Sequence, residues 1–259
     1  MGNLRHAIGF MFVLGLAFIT AHAQSGTAAP RNEIEVRGTV GIPSGEANFS
    51  GTTDSSQTID FSRDFDFDNK LGYDLRFIHR SENQKHKFMV EYARDNWDQE
   101  RTLMRTFTFR GQTFVANAAA EMDVRVRSFL ARYAYRWGNE KVRFGPMGNM
   151  GVISTSAELT STTNNATRSA EGKITKFAAT LGYDLEATPT ENVMIFHSLG
   201  AIAFQGEHLF HTEGGVKYYP SRHLGVVGGY RFQRYRVEKD NDFIKIRAHG
   251  PFFGGVFRF

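Results

Sequence analysis

The sequence predicts an all-β protein, a closed antiparallel up-and-down transmembrane β-barrel of about ten strands with eight as the alternative count. Three observations carry that prediction. Apolar and polar residues alternate with period 2 in almost every segment after residue 24. Short polar turns alternate along the chain with connections that are mostly longer. The last residues keep the alternation with aromatics, Phe253, Phe257 and Phe259. A chain of 259 residues is one large domain or two small ones, and 41% hydrophobic with 22% charged residues is the composition of a folded domain.

The first segment is a targeting signal. Arg5 and His6 precede the apolar run Ala7 to Ile19, and Ala21-His22-Ala23 supplies an A-x-A cleavage site. The run is shorter than the roughly 20 residues of a spanning helix. Residues 1–23 are therefore expected to be a cleaved signal peptide, with 24–259 forming the barrel domain.

Ten alternating segments follow, at about 32–43, 70–80, 85–97, 121–137, 141–158, 173–187, 192–204, 209–219, 223–238 and 243–259. In the first, Ile34, Val36, Val40 and Ile42 oppose Glu35, Arg37 and Thr39. In the second, Leu71, Tyr73, Leu75 and Phe77 oppose Asp74 and Arg76. Phe88, Val90 and Tyr92 face away from Glu91 in the third, and Phe129, Tyr133, Tyr135 and Trp137 face away from Arg132 and Arg136 in the fourth. Later segments set Leu181, Tyr183 and Leu185 against Asp184 and Glu186, and Leu224, Val226, Tyr230 and Phe232 against Arg231 and Gln233. Tight turns fall at Ser81–Gln84, Gly138–Lys141, Thr188–Glu191 and Pro220–His223. The other connections are Ser44–Asn69, a ribbon over 98–120 that projects beyond the membrane or, as the alternative, folds inward as a partial plug, Leu159–Gly172, Gln205–His208 and Lys239–Asp242. An even strand count returns both termini to one side, as a barrel with periplasmic ends requires.

The ending Phe252-Phe253-Gly254-Gly255-Val256-Phe257-Arg258-Phe259 resembles the C-terminal strand of bacterial outer-membrane β-barrels. The wider pattern is similar to small porin-like barrels of the OmpA/OmpW-like group. That resemblance implies a bacterial outer-membrane location, an assembly signal in Phe257 and Phe259 that the barrel-assembly machinery recognises, contacts with outer-membrane lipid and lipopolysaccharide, and a monomer. Tyr133, Tyr135, Trp137, Tyr218, Tyr219, Phe257 and Phe259 fall near the predicted periplasmic ends, where an aromatic girdle belongs.

With the apolar faces in lipid, the opposite faces point into the lumen. The candidates lining it are Arg37, Arg76, Glu91, Arg132, Arg136, Asp184 and Arg231, accompanied by Glu35, Asp74, Arg143, Glu186, Glu213 and Lys217. Opposite charges in so narrow a space are expected to pair and to plug the barrel.

Several chemistries are excluded or weakly signalled. With no cysteine there is no thiolate catalysis, Cys-ligated zinc, iron–sulfur cluster, disulfide scaffold or lipoprotein acylation. The 31 basic and 27 acidic residues are spread along the chain, without the basic run of a nucleic-acid binder. Asp64-Phe65-Asp66-Phe67-Asp68-Asn69 opens like a calcium loop but lacks its glycine and closing glutamate. Gly145, Gly148 and Gly151 do not make a phosphate loop, having no Lys-Ser/Thr and no following helix. Arg101, Arg105 and Arg110 on the long ribbon could meet lipopolysaccharide phosphates. Glu207, His208, His211 and Glu213 are expected together at the outer rim, where a hydrolase of lipid A or peptides would carry its groups. Ser198 and His197 point to opposite faces of one strand and cannot pair locally.

No catalytic residue, metal or cofactor is therefore expected, and the chain is expected not to be an enzyme. The expected role is a structural or porin-like barrel with surface loops. A narrow channel for small anionic or polar solutes, a hydrolase and an adhesin are the alternatives.

Overall fold

The computed structural model describes residues 30–49, 58–163, 166–204, 207–239 and 242–259. The expected signal peptide at 1–23 lies outside the described residues. Ten antiparallel strands form the barrel: β1 (Asn32–Asn48), β2 (Lys70–Arg80), β3 (His86–Thr102), β4 (Ala119–Tyr135), β5 (Val142–Thr163), β6 (Ala166–Thr190), β7 (Val193–Phe204), β8 (Glu207–Tyr218), β9 (Leu224–Lys239) and β10 (Asp242–Arg258). Each pairs with its sequence neighbours, and β1 pairs with β10 to close the ring. Asn32 and Phe259 finish the seam, each backbone N–H donating to the other's carbonyl at 3.0 Å. Ten strands in an up-and-down order is the predicted architecture.

The strands run further than the sequence pattern suggested. A strand crosses a bilayer in about 9–11 residues, yet β5 has 22 residues and β6 has 25. The segment 159–172, expected to be a loop, is mostly strand, with Ala170 facing Leu159 and Ala166 facing Thr163. β1 likewise continues through Asn48 into the expected Ser44–Asn69 loop. The barrel therefore stands well above the membrane at its long-loop end.

Its two halves have opposite polarity. In the lower half Leu71, Tyr73, Leu75, Phe77, Phe88, Phe129, Tyr133, Trp137, Leu181 and Tyr230 are exposed on the outer wall while charged residues fill the interior. In the upper half the inward positions are apolar and buried, among them Trp97, Val124, Val126, Ile153, Ile174, Tyr235, Ile244 and Ile246. β4 shows the change within one strand. Ala120, Met122, Val124 and Val126 point inward, then Phe129, Tyr133 and Tyr135 point outward, with no break in the strand. The lower half has the surface of a membrane barrel and the upper half that of a water-soluble one.

Two connections cover the outer mouth. After β1 the chain makes a short pair, Ile59–Asp60 against Ala47 and Glu46, and then one π-type turn over Phe61–Phe65. The Asp60 carboxylate caps that turn, accepting from the backbone N–H of Ser62 and Arg63 at 3.0 and 2.9 Å. Between β3 and β4, Phe107–Phe109 and Gln112–Phe114 form a hairpin whose turn residues Arg110 and Gly111 have φ of 52° and 75°, a two-residue turn that favours glycine. Of the two courses open to the ribbon it takes the inward one and does not project, because Phe107, Phe109 and Phe114 are apolar and bury themselves with Phe49, Phe61 and Phe65 in the upper core. Phe49 and Phe109 meet edge to face at 5.5 Å.

Candidate functional site

Strand register determines the chemistry of the lumen. Within the wall, Arg37 lies opposite Asp74, Glu35 opposite Arg76, Arg76 opposite Glu91, and Glu213 opposite Arg231. Opposite charges on facing positions of neighbouring strands attract. Longer reaches then tie one side of the barrel to the other. Arg76 on β2 donates two bonds to Glu213 on β8, at 2.5 and 2.7 Å, and its guanidinium also lies 2.6 Å from Glu91. Arg37 and Arg231 both reach Glu213 at 3.3 Å, and Asp74 at 2.7 and 2.9 Å. Arg132 donates to Glu91 at 3.1 Å. Phe252 lies beneath the Arg37 guanidinium, 4.4 Å from it, and supplies an aromatic face.

A second cluster fills the end at which β1 starts and β10 finishes. Glu186 on β6 accepts from Arg80 at 3.1 Å, Lys87 at 2.6 Å and Arg136 at 2.5 Å. Lys87 also reaches Asp184 at 2.8 Å, Arg80 reaches Glu33 at 3.1 Å, and Lys217 bridges Glu33 and Glu35. Among the described residues the buried lumen thus holds eight cations and seven carboxylates, all enclosed by the barrel wall. The gap left between the clusters is a small cavity with room for about one water, lined by Arg76, Lys87, Arg132, Asp184 and Glu213. Above the charges lies a neutral polar layer in which Asn149 donates to Thr180 at 2.7 Å beside His211. The apolar upper core begins above that.

The seven lumen candidates, Arg37, Arg76, Glu91, Arg132, Arg136, Asp184 and Arg231, are all buried in these two clusters. Glu33, Arg80 and Lys87 were missed. They sit at strand ends where alternation fades, although each keeps the parity of its inward neighbours. Arg143 is only half-buried at the turn end and stands outside both clusters. Tyr219, assigned to the girdle, instead points inward, buried, and its hydroxyl donates to Glu33 at 3.3 Å.

The other sequence candidates are distributed differently from expectation. Glu213 is no rim residue but the hub of the central cluster, and His211 is buried beneath the upper core, whereas His208 is exposed. Alternation along β8 puts His208 on the outer wall and His211 and Glu213 inside the barrel, so these three do not meet at the rim, and the Glu207 side chain lies outside the described residues. His197 bonds outward to the Tyr183 hydroxyl at 2.9 Å while Ser198 is buried on the opposite face. Gly145 and Gly151 lie where a Cβ would come about 2 Å from the Tyr135 and Phe129 carbonyl oxygens, so the absence of a side chain lets the strands approach closely.

Asp64 is buried and held by Arg105 at 2.8 Å and Arg63 at 3.1 Å. Burial opposes its ionisation, but hydrogen bonds from Arg105 and Arg63 outweigh this and bring its pKa down to about 2. Arg105 also donates to the Thr58 carbonyl at 2.8 Å, so it ties the β1–β2 connection to the hairpin instead of facing lipid. Arg101 reaches the Arg63 carbonyl at 3.4 Å, and Arg110 pairs with Asp242 at 3.2 Å. Among the described residues no group of three or more His, Asp or Glu side chains is placed to hold a metal ion.

This architecture, a lipid-facing belt around a charged lumen, defines an integral outer-membrane β-barrel protein. No protein-family model matches the sequence, and no curated protein is similar to it. Solved structures are similar in fold. The outer membrane protease OmpT from Escherichia coli aligns with a TM-score of 0.60 at 8% identity, over 92% of this chain and 99% of that one. The translocator domain of the autotransporter NalP from Neisseria meningitidis aligns at 0.49 with 9% identity, over 99% and 98%. The attachment invasion locus protein Ail of Yersinia pestis aligns at 0.39 with 12% identity, over 88% and 99%. These likenesses are of fold. They also correct the expectation that the chain is not an enzyme. A protease shares its fold over nearly the whole chain, so the architecture is one that carries catalysis and the exclusion is withdrawn.

Proposed function

We propose that the protein is a sealed outer-membrane barrel whose activity resides on its extracellular half and not in passage through its lumen. One observation carries this reading: two different closures stand in series along the same axis. The charged clusters meet across the lower lumen through Arg76 and Glu213, and the aromatic core under the hairpin closes the upper half. An ion would have to break buried pairs and then cross an apolar layer, each step costing several kcal/mol. The tall upper barrel, polar outside and apolar inside, is a rigid platform that lifts its wall and connections away from the lipid.

The surrounding expectations complete the proposal. Export proceeds through a signal cleaved after Ala23, Phe257 and Phe259 present the assembly signal, and the barrel is a monomer in contact with lipopolysaccharide. The test is single-channel conductance of the refolded protein in a planar lipid bilayer across a salt gradient. Silence from protein shown to be inserted is the expected result. Steady steps with a definite reversal potential would make it a diffusion channel instead.

A further inference from the structure

Three neighbouring strands carry cations at one height on the outer wall. On β8 the outward positions run from Tyr218 through Val216, Gly214 and Thr212 to Phe210, and then comes His208. On β9 they run from Leu224 through Val226, Gly228 and Tyr230 to Phe232, and then come Arg234 and Arg236. On β10 they run upward from Phe259 through Phe257, Gly255 and Phe253 to Pro251, followed by His249, Arg247 and Lys245. Each stretch without charge has the length of about nine residues that crosses a bilayer. The cations therefore begin at the headgroups of the outer leaflet.

Register stacks them into two rows. In the upper row Arg236 lies between His208 and Lys245, and both long cations have acids: Arg236 reaches Glu238 at 2.7 Å and Lys245 reaches Glu46 at 2.8 Å. In the lower row Arg234 lies directly opposite Arg247, flanked by Phe210 and Ser44. Neither arginine has an acidic partner among the described residues, and the Arg234 Nε is buried without a hydrogen-bond acceptor. Like charges on facing positions of an antiparallel pair destabilise the sheet. On the same wall Arg125 is compensated by Asp123 at 2.7 Å, whereas Arg94 and Arg127 repeat the facing-arginine arrangement on β3 and β4. Beneath the two arginines lies an aromatic shelf: Phe210 packs edge to face on Phe232, and Phe232 stacks on His249, which bonds the Tyr230 hydroxyl at 2.7 Å.

We propose that Arg234 and Arg247 bind the phosphate of a phosphorylated outer-leaflet glycolipid of the lipid A class. Guanidinium groups suit phosphate oxygens, and the shelf receives the first carbons of the acyl chains. The assignment rests on the barrel's outer-membrane placement and is independent of whether the lumen conducts.

The test is native mass spectrometry of the folded protein released from neutral detergent, titrated with lipid A that carries both phosphates and with the same lipid after their removal. Wild type should retain the phosphorylated lipid about tenfold more tightly than the Arg234→Gln/Arg247→Gln double variant. Phosphate removal should erase that difference, and Arg125→Gln should behave as wild type. Equal retention by wild type and the double variant, or indifference to the phosphates, would overturn the site. Displacement by millimolar inorganic phosphate would assign the row to a soluble anion and overturn the lipid. Heat-modifiable gel migration reports folding; should the double variant fail to fold, Arg247→Ser alone must still weaken retention. Conductance measured on the same samples separates the two readings, since a lost lipid site leaves the seal silent and a conducting barrel leaves lipid retention unchanged.

Discussion

Arg76 and Glu213, separated by 137 positions in the chain, meet across the barrel through two parallel bonds of 2.5 and 2.7 Å with both side chains buried. A carboxylate that balances Arg37, Arg76 and Arg231 at once cannot be removed without leaving buried charge uncompensated. Glu213→Ala should therefore cost about 3–5 kcal/mol, the usual penalty for breaking one partner of a buried pair. Urea unfolding of protein folded in lipid vesicles measures it. A loss below about 1 kcal/mol, typical of a surface pair, would mean the cluster does not hold the barrel together.

The hairpin over the outer mouth makes a second, apolar contribution. Phe109 is fully buried against Phe49, whereas Met104, a few residues earlier, is exposed. Phe109→Ala should destabilise by about 3–5 kcal/mol, and Met104→Ala should stay within about 0.5 kcal/mol. Comparison of the two unfolding curves checks both values.

Because two closures stand in series, removing the upper one should not open the barrel. Deletion of the hairpin residues 105–116 is expected to leave inserted protein electrically silent, since the Arg76–Glu213 layer lies below it. Discrete conductance steps in that deletion would show that the charged layer does not seal by itself.

The anchor at Asp64 has a pH dependence whose sign follows from its environment. Its pKa in the folded protein, about 2, lies below the unfolded value of about 3.9. The anchor's contribution is therefore complete above the unfolded pKa and is lost as pH falls through the window from about 4 to 2. Hydrogen exchange in the 58–69 connection should be slow from neutral pH to about 5 and should quicken, relative to a strand such as β9, below about 4. Asp64→Asn should show the faster exchange already at neutral pH. Unchanged exchange in that variant would mean that Arg105 and Arg63 do not hold the connection.

Phe259 closes the seam with Asn32 through two backbone bonds. Its deletion removes both, each worth about 1 kcal/mol, and should lower the fraction of heat-modifiable barrel obtained on refolding. Phe259→Ala keeps the backbone bonds and should refold in vesicles as wild type does. A cellular assembly defect in Phe259→Ala, with normal refolding, would identify the aromatic ring itself as the assembly signal.

Much of this was legible in the chain. Alternation with period 2, ten segments and the aromatic ending specify a lipid-facing barrel, because in hydrocarbon a chain must pair all its backbone groups and only closure achieves that with strands. The inward parity of Arg37, Arg76, Glu91, Arg132, Arg136, Asp184 and Arg231 was legible for the same reason, as a strand's side chains can point only two ways. The inverted upper half was visible too, had the phase of the pattern been followed. In β4 the apolar positions are even from Ala120 to Val126 and odd from Phe129 onward. A change of phase inside one strand resembles a loop or a slipped register when only lipid is imagined outside.

What the sequence by itself determined is the solvent each face prefers, since that is a property of local order and polarity. Which charges would meet was decided by the tertiary structure alone. Alternation puts Glu213 in the lumen while its closeness in the chain to His208 points to the outer rim, and only strand stagger brings it level with Arg76 and Arg37 on the far side of the lumen. Arg105 and Asp64 are joined in the same way, across two connections 41 positions apart in the chain. Contacts across a barrel depend on the register of every strand between the partners, and register is a property of the closed ring, which no single segment contains.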